Sequence, residues 1–431
     1  MTAQTYLGKE IFPIKTQTAC ILKWSWSTIN MQEGFTSSCH RVHDDFIDPN
    51  NFKNFHNTPS KIQARKTMAA GEWPGHGCEY CKHVEQAGGT SDRLMSLMQH
   101  HTADKVPPEL YVDPNAVEVT PTILEIYFDN TCNLSCVYCV PGVSSKINDE
   151  LSRHGPINIG PIQLTPYNKN QQRYQKMVND LWAYLEENNR YQVIRHYNIL
   201  GGEPLLQKEL DSSIDFWQQH PNPSLTFNLI TNLMLPPKLF QEKMYRFQQL
   251  VESNSILTVE ITASIDCWGP EQEYVRWGID LDGTWIKNFE FLLDKPWVRL
   301  AIHSCINSLT IKPMPQLLEK INKWNTMRPD PVDHSFDLVI GSTWNNAGMH
   351  PRAFGQGVFD NDMKKILDLM PVTTPRQQAA HAQMQGVAQL ISQSQQDPQQ
   401  IKILQLYLDE LDKRRGTTWR TTFPWLDKEW D

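Results

Sequence analysis

Three cysteines stand in one eight-residue run, Cys132 to Cys139, written CNLSCVYC. Three thiolates on a single loop can each bind a different iron of a [4Fe–4S] cube, which leaves the fourth iron open. An open metal position suits catalysis, whereas structural metal sites are closed by protein ligands. A structural zinc loop short of its fourth ligand is the alternative. Directly upstream, TILEIYFD (122–129) predicts a strand, so the cysteines begin where that strand ends. At the end of the second predicted strand comes Gly201-Gly202-Glu203-Pro204. Glycine permits positive φ and a close backbone approach, and a carboxylate beside it can grip a cationic amine. A turn with an exposed Glu is the plainer reading of that tetrapeptide.

A second cysteine group lies earlier: Cys20, then Gly34 and Cys39, then Cys78 and Cys81. Gly34 would let a hairpin turn back so that Cys20 and Cys39 face one metal. Four thiolates can close one site, on either an iron–sulfur cluster or tetrahedral zinc. Cys267 and Cys305 complete the nine, an odd number and about 2% of 431 residues, far from a disulfide scaffold. The start of the sequence lacks the basic-then-apolar build of a signal peptide, and no apolar run reaches the roughly 18 residues of a membrane span. The expected location is a reducing cytoplasm, where grouped cysteines hold metal.

The elements that must position these residues follow from periodicity. Residues 1–110 are irregular, and KVPPELYVDPNAVEVTP (105–121) reads as a linker. Predicted strands are 122–129, 195–200, 224–231, 257–265, 297–306 and 335–341. Helices are predicted over 170–188, 206–218, 236–251, 271–292 and 314–326, and again over 359–370, 374–394 and 397–415. Strand–helix alternation implies an α/β fold with a parallel sheet. Six strands are too few for an eight-stranded barrel, so a partial (β/α)6 barrel is expected. Three units result: 1–110, 111–345 and a helical extension over 346–431.

The cysteine triplet, with Tyr138 before its last member, resembles the signature of the radical SAM superfamily, and Gly201-Gly202-Glu203 resembles its GGE motif. The resemblance implies a [4Fe–4S] cluster on Cys132, Cys136 and Cys139, and S-adenosylmethionine bound to the open iron. Reductive cleavage would give a 5′-deoxyadenosyl radical that abstracts hydrogen from substrate. It implies that Glu203 holds the methionine amino group, that Ser264 and Asp266 contact the ribose, and that Arg276 lies near the carboxylate; a strand-end cap or a surface ion pair is the alternative for each of the last three. Asn232, at the end of the third strand, is a further cofactor candidate, because ligands of such barrels sit at the carboxyl ends of strands. The spacing Cys20-x13-Gly34-x4-Cys39, with CEYCKHVEQAGGTSDR (78–93), resembles the SPASM/twitch auxiliary-cluster domain, here preceding the barrel. It implies an auxiliary [4Fe–4S] cluster on Cys20, Cys39, Cys78 and Cys81, with zinc as the alternative.

Such proteins most often modify peptides. The expected reaction is on a ribosomally made peptide or protein side chain, with the auxiliary cluster taking an electron. The runner-up is a small metabolite, an amino acid or cofactor precursor, and a third reading is a non-catalytic cluster-binding scaffold. A reducing partner such as ferredoxin or flavodoxin is implied. A net charge of −8 and a pI near 6.0 argue against a nucleic-acid partner. His303 and Cys305 share a strand face and read as buried structural groups. His100-His101 reads as solvated surface.

Overall fold

The computed structural model describes residues 5–430 apart from 7–8, 11, 15, 42–44, 76, 87, 90, 99–104, 190–191 and 340–341. The His100-His101 pair therefore lies outside the described residues. The strands that matter for the site are β1 (Trp26–Asn30), β2 (Phe35–Ser37), β3 (Asp45–Phe46) and β4 (Ile123–Tyr127). They continue with β5 (Ser135–Cys136), β6 (His196–Leu200), β7 (Asn222–Thr231) and β8 (Ile256–Ser264). The last are β9 (Arg276–Trp277), β10 (Val298–Ile306) and β11 (Asp333–Leu338).

Nine of these form one sheet in the order β11-β10-β8-β7-β6-β4-β1-β2-β3. From β4 to β11 the six neighbours are parallel and follow chain order. Parallel neighbours need long crossovers, and helices supply them. Between β4 and β6 come α1 (Ser145–His154) and α2 (Gln171–Asn189). Then α3 (Lys208–Gln219), α4 (Pro237–Glu252), α5 (Ile286–Leu293) and α6 (Met314–Asn325) alternate with the later strands. The buried stripe of α2 runs through Tyr174, Met177, Val178, Leu181, Tyr184 and Leu185. Trp182, on the same helix, is only partly buried and stacks on Phe128 and Phe216.

All six predicted strands are present, each within a few residues of its expected ends. The N-terminal region holds a surprise. Instead of standing apart, β1 adds to β4 in parallel, and β2 and β3 follow antiparallel. Gly34, at φ +76°, turns the chain between β1 and β2 as expected. A smaller apolar core, including Phe12, Trp24, Met68 and Leu110, lies beside this edge. The expected linker is not loose: Trp24 Nε1 donates to the Ala116 carbonyl at 2.9 Å, and Val106, Leu110 and Val119 are buried.

One predicted helix, 271–292, is broken. Only Pro270–Val275 and Ile286–Leu293 are α-helical; between them Arg276–Trp277 is drawn into an antiparallel ladder with Ser135–Cys136. Helical periodicity could not reveal a partner about 140 residues away. The C-terminal helices α7 (Asp360–Leu369), α8 (Pro375–Ser392) and α9 (Pro398–Arg415) match expectation. Pro398 opens α9 behind the Asp397 cap, where a missing N–H costs nothing. No described helix is long and apolar enough to cross a membrane.

Candidate functional site

The cysteine loop begins at the carboxyl end of β4, as the strand pattern required. Its backbone is pinned from several sides. Ser145 Oγ accepts from the Cys132 N–H at 3.0 Å, and Ser144, which also caps α1, donates to the Leu134 carbonyl at 2.8 Å. Asn133 donates to the Met234 carbonyl at 2.8 Å and accepts from Asn232 Nδ2 at 2.9 Å. Neither serine was singled out from sequence, although a polar residue before a helix start is a capping signal.

Gly201 and Gly202 both have positive φ. A Cβ on Gly202 would meet the Thr131 carbonyl at 2.4 Å and the Asp129 carbonyl at 2.7 Å. The glycine is thus required by the loop that leads into Cys132, which packs directly on it. Glu203, 1% exposed, ties strand ends together: Oε1 accepts from Thr231 Oγ1 at 2.6 Å and the Leu205 N–H at 3.0 Å. Oε2 accepts from the Asn232 N–H at 2.7 Å. A carboxylate has about four acceptor positions, so one remains on Oε2. Burial pushes the Glu203 carboxyl up to about 7, against the pull of those three donors.

The predicted Asp266 and Arg276 converge on the same loop. Arg276 stands opposite Cys136 in the β5–β9 ladder. Its Nε and Nη2 fork onto Asp266 at 2.9 and 2.8 Å, and Tyr138 donates to Asp266 Oδ2 at 2.7 Å. The Cys305 N–H adds a fourth bond to Asp266 at 2.8 Å. All acceptor positions of this buried carboxylate are filled, so in this arrangement it offers none to a ribose. Ser264, by contrast, is half-buried and its hydroxyl makes no hydrogen bond among the described residues. Among the described residues Arg276 Nη1 also makes none, which leaves a donor edge on a buried cation.

All nine cysteines are free. Burial, then the field of Cys136, pushes the Cys132 thiol up to about 12. Burial with Cys136 and Cys132 raises Cys139, and burial raises Cys136 against the opposing pull of Arg276. Such thiols stay protonated at neutral pH unless a metal displaces the proton. They fit a cluster as donors and fit a reactive nucleophile poorly. At the N-terminal group, Cys20 is pushed up to about 12 by burial, then by Cys39 and Cys81. Cys78 rises to about 11 through burial and the fields of Cys39 and Cys81. The fold therefore brings each cysteine set within mutual electrostatic range. Among the described residues no group of three or more His, Cys, Asp or Glu side chains converges on a single-ion position. Thiols on different irons of one cube need not do so.

Further polar residues share the sheet face of Ser264. Cross-strand register puts Glu125, Asn198 and Asn228 in one row, with His303 beside Ser264 and Asp337 beside Cys305. Buried Glu125 accepts from Thr28 at 2.9 Å, with His40 3.7 Å away. His303 was read as buried, but its side chain is 31% exposed and bonds Ser335 at 3.0 Å. Cys305 is likewise only partly buried, while Cys267 is fully buried.

Comparison with known proteins adds little. No family model matches the chain, and no curated protein matches it significantly. Among solved structures, native anSMEcpe with bound AdoMet and a Cp18Cys peptide is similar at 14% identity and TM-score 0.31. The match covers 57% of this chain and 58% of that one. TYW1 with a lysine–pyruvate adduct matches at 13% identity and TM-score 0.30, over 55% of this chain and 68% of that one. Streptococcus suis SuiB matches at 12% identity and TM-score 0.33, over 74% and 71%.

Proposed function

We propose that the chain is a radical SAM enzyme. The observation that carries this reading is the meeting of three free, buried-to-half-buried thiols on one loop with the Gly201-Gly202-Glu203 turn and the Arg276–Asp266–Tyr138 group. On this reading Cys132, Cys136 and Cys139 hold a [4Fe–4S] cluster, the six parallel strands are the partial barrel, and residues 1–110 are the twitch region. Bound there, the cluster and S-adenosylmethionine supply one-electron cleavage to a 5′-deoxyadenosyl radical.

The chain's own residues have separable tasks. Arg276 lends positive charge beside Cys136 and lowers the cost of its thiolate. Asp266 holds that guanidinium in a fixed fork, which leaves Nη1 directed elsewhere for a carboxylate. Glu203 keeps one acceptor for an amine. Ser264 keeps a free hydroxyl at a strand end, and Asn232 fixes the loop through Asn133. The substrate is proposed to be a peptide or protein side chain. An auxiliary cluster on Cys20, Cys39, Cys78 and Cys81 would take the surplus electron, and a ferredoxin- or flavodoxin-type partner would feed the first.

Anaerobically reconstituted protein should bind iron and sulfide and form 5′-deoxyadenosine when reduced with S-adenosylmethionine. Cys136→Ala should stay soluble but lose that product completely. Retained 5′-deoxyadenosine formation in the variant would overturn the proposal. Mass spectrometry of peptides encoded beside the gene, co-expressed with the enzyme, tests the substrate class.

A further inference from the structure

The cysteine loop contains a β-turn that a distant helix holds in one of two possible states. The Cys139 N–H donates to the Cys136 carbonyl at 3.1 Å, which closes a four-residue turn over 136–139. Its central peptide joins the Val137 carbonyl to the Tyr138 N–H. In such turns this peptide can face either way; the flipped, type II form needs positive φ at the third residue. Tyr138 does not have positive φ, so the turn is in the unflipped sense.

The Val137 carbonyl is not left to water. Tyr407, on α9, donates its hydroxyl to it at 2.8 Å, across 270 residues of sequence. Tyr407 is only 2% exposed and packs against Trp344. The Val137 N–H is fixed as well, donating to the Val275 carbonyl at 2.8 Å. In a trans peptide the carbonyl and the following N–H point in opposite directions. The Tyr138 N–H is therefore directed opposite to the Val137 carbonyl that Tyr407 holds; in sequence it stands between Cys136 and Cys139, and it makes no hydrogen bond among the described residues. Tyr138 is only partly buried, so this donor is open to a partner other than the described residues.

We infer that Tyr407 is a positioning residue: by holding the Val137 carbonyl, it keeps the Tyr138 N–H presented to a sulfur of the cluster that Cys132, Cys136 and Cys139 would bind. This rests on the cluster reading above. Hydrogen bonds to sulfur are among the determinants of cluster potential, since they stabilise the more negative reduced state. Loss of the hydroxyl frees the turn to flip and should make reduction harder.

Three preparations test it after anaerobic reconstitution: the unaltered protein, Tyr407→Phe, and Leu408→Ala, which weakens the packing of α9 without touching the hydroxyl. Each is assayed for iron and sulfide content, thermal midpoint, electron paramagnetic resonance of the reduced cluster, and potentiometric midpoint. Tyr407→Phe should shift the midpoint to more negative potential and alter the resonance with little thermal change. Leu408→Ala should melt lower with an unshifted midpoint. An unshifted midpoint in Tyr407→Phe, or equal shifts in both variants, would overturn the inference. Hydrogen exchange on the unaltered protein needs no variant: the Tyr138 amide should exchange more slowly in the loaded than in the metal-free state. Equal exchange also overturns the inference. If the unaltered protein takes up no iron and sulfide, the cluster reading itself fails.

Discussion

Glu203 shows how much a single side chain can combine. It joins the ends of β6 and β7 through three accepted hydrogen bonds, yet burial raises its carboxyl from an ordinary carboxylate value to about 7. A carboxyl raised on folding holds its proton more tightly in the native state. Its stabilising effect is complete below about pH 4.5 and is lost as pH rises through about 7. Glu203→Gln removes that titration, although its amide nitrogen faces the Asn232 N–H and loses a bond. Between pH 5 and 8, the stability advantage of the metal-free native protein over Glu203→Gln should shrink by about 3 kcal/mol. Denaturant titrations at the two pH values measure it, and an unchanged difference would show that Glu203 is not raised. At this scale the sequence was informative about identity and silent about partners. The motif named Glu203, and the resemblance pointed to Asp266 and Arg276, but nothing local told that Asp266 would be saturated by Arg276, Tyr138 and the Cys305 backbone.

At the scale of elements, the long polar stretch between Cys139 and α2 acquires a role. It folds into α1 and the hairpin Ile157–Ile159/Ile162–Leu164, and both lie against α9. Arg415 pairs with Glu150 of α1 at 3.0 Å, both side chains being nearly inaccessible, and its guanidinium lies over Trp277 of β9. Tyr274 bonds Asp412 of α9 at 2.9 Å. The helix thus braces β9 and α1, the two elements that flank the cysteine loop. Breaking one partner of a buried ion pair leaves the other charge stranded. Arg415→Met should therefore cost about 3–5 kcal/mol, and adding Glu150→Met should recover much of it. Calorimetry of the single and double variants checks this; a double variant as unstable as Arg415→Met alone would refute it. Helix α9 itself was legible in the sequence, as the helix expected over 397–415. Its docking site was not, because contacts across some 270 residues leave no periodic trace.

The whole molecule is organised around one sheet that the sequence revealed in part. Six strands came from apolar runs separated by helical stretches, since strands covered on both faces read as nearly continuous hydrophobic segments. The three added by the N-terminal region did not: β1 to β3 are short, and polar turn formers surround them. Their pairing on β4 places the Cys20, Cys39, Cys78 and Cys81 group on the same framework as the cysteine loop, with a separate apolar core beneath it. The two groups should then load independently. A Cys78→Ala/Cys81→Ala variant should lose about half the iron and sulfide while keeping the resonance of the first cluster. Loss of zinc with unchanged iron would rule out an auxiliary cluster.

The contact between Tyr407 and Val137 also sets a timetable. A ribosome adds about 5–20 residues per second, so roughly 15–50 s separate the emergence of the two partners. Throughout that interval the cysteine loop exists without its brace, and its thiols are exposed to oxidation or to stray metal. On the proposed function, assembly of the cluster belongs after translation of α9, when the Tyr407 contact can form. If the loop holds the proposed cluster, cells that synthesise this chain slowly in air should accumulate more protein whose fold is complete but whose iron and sulfide are missing than cells that synthesise it quickly.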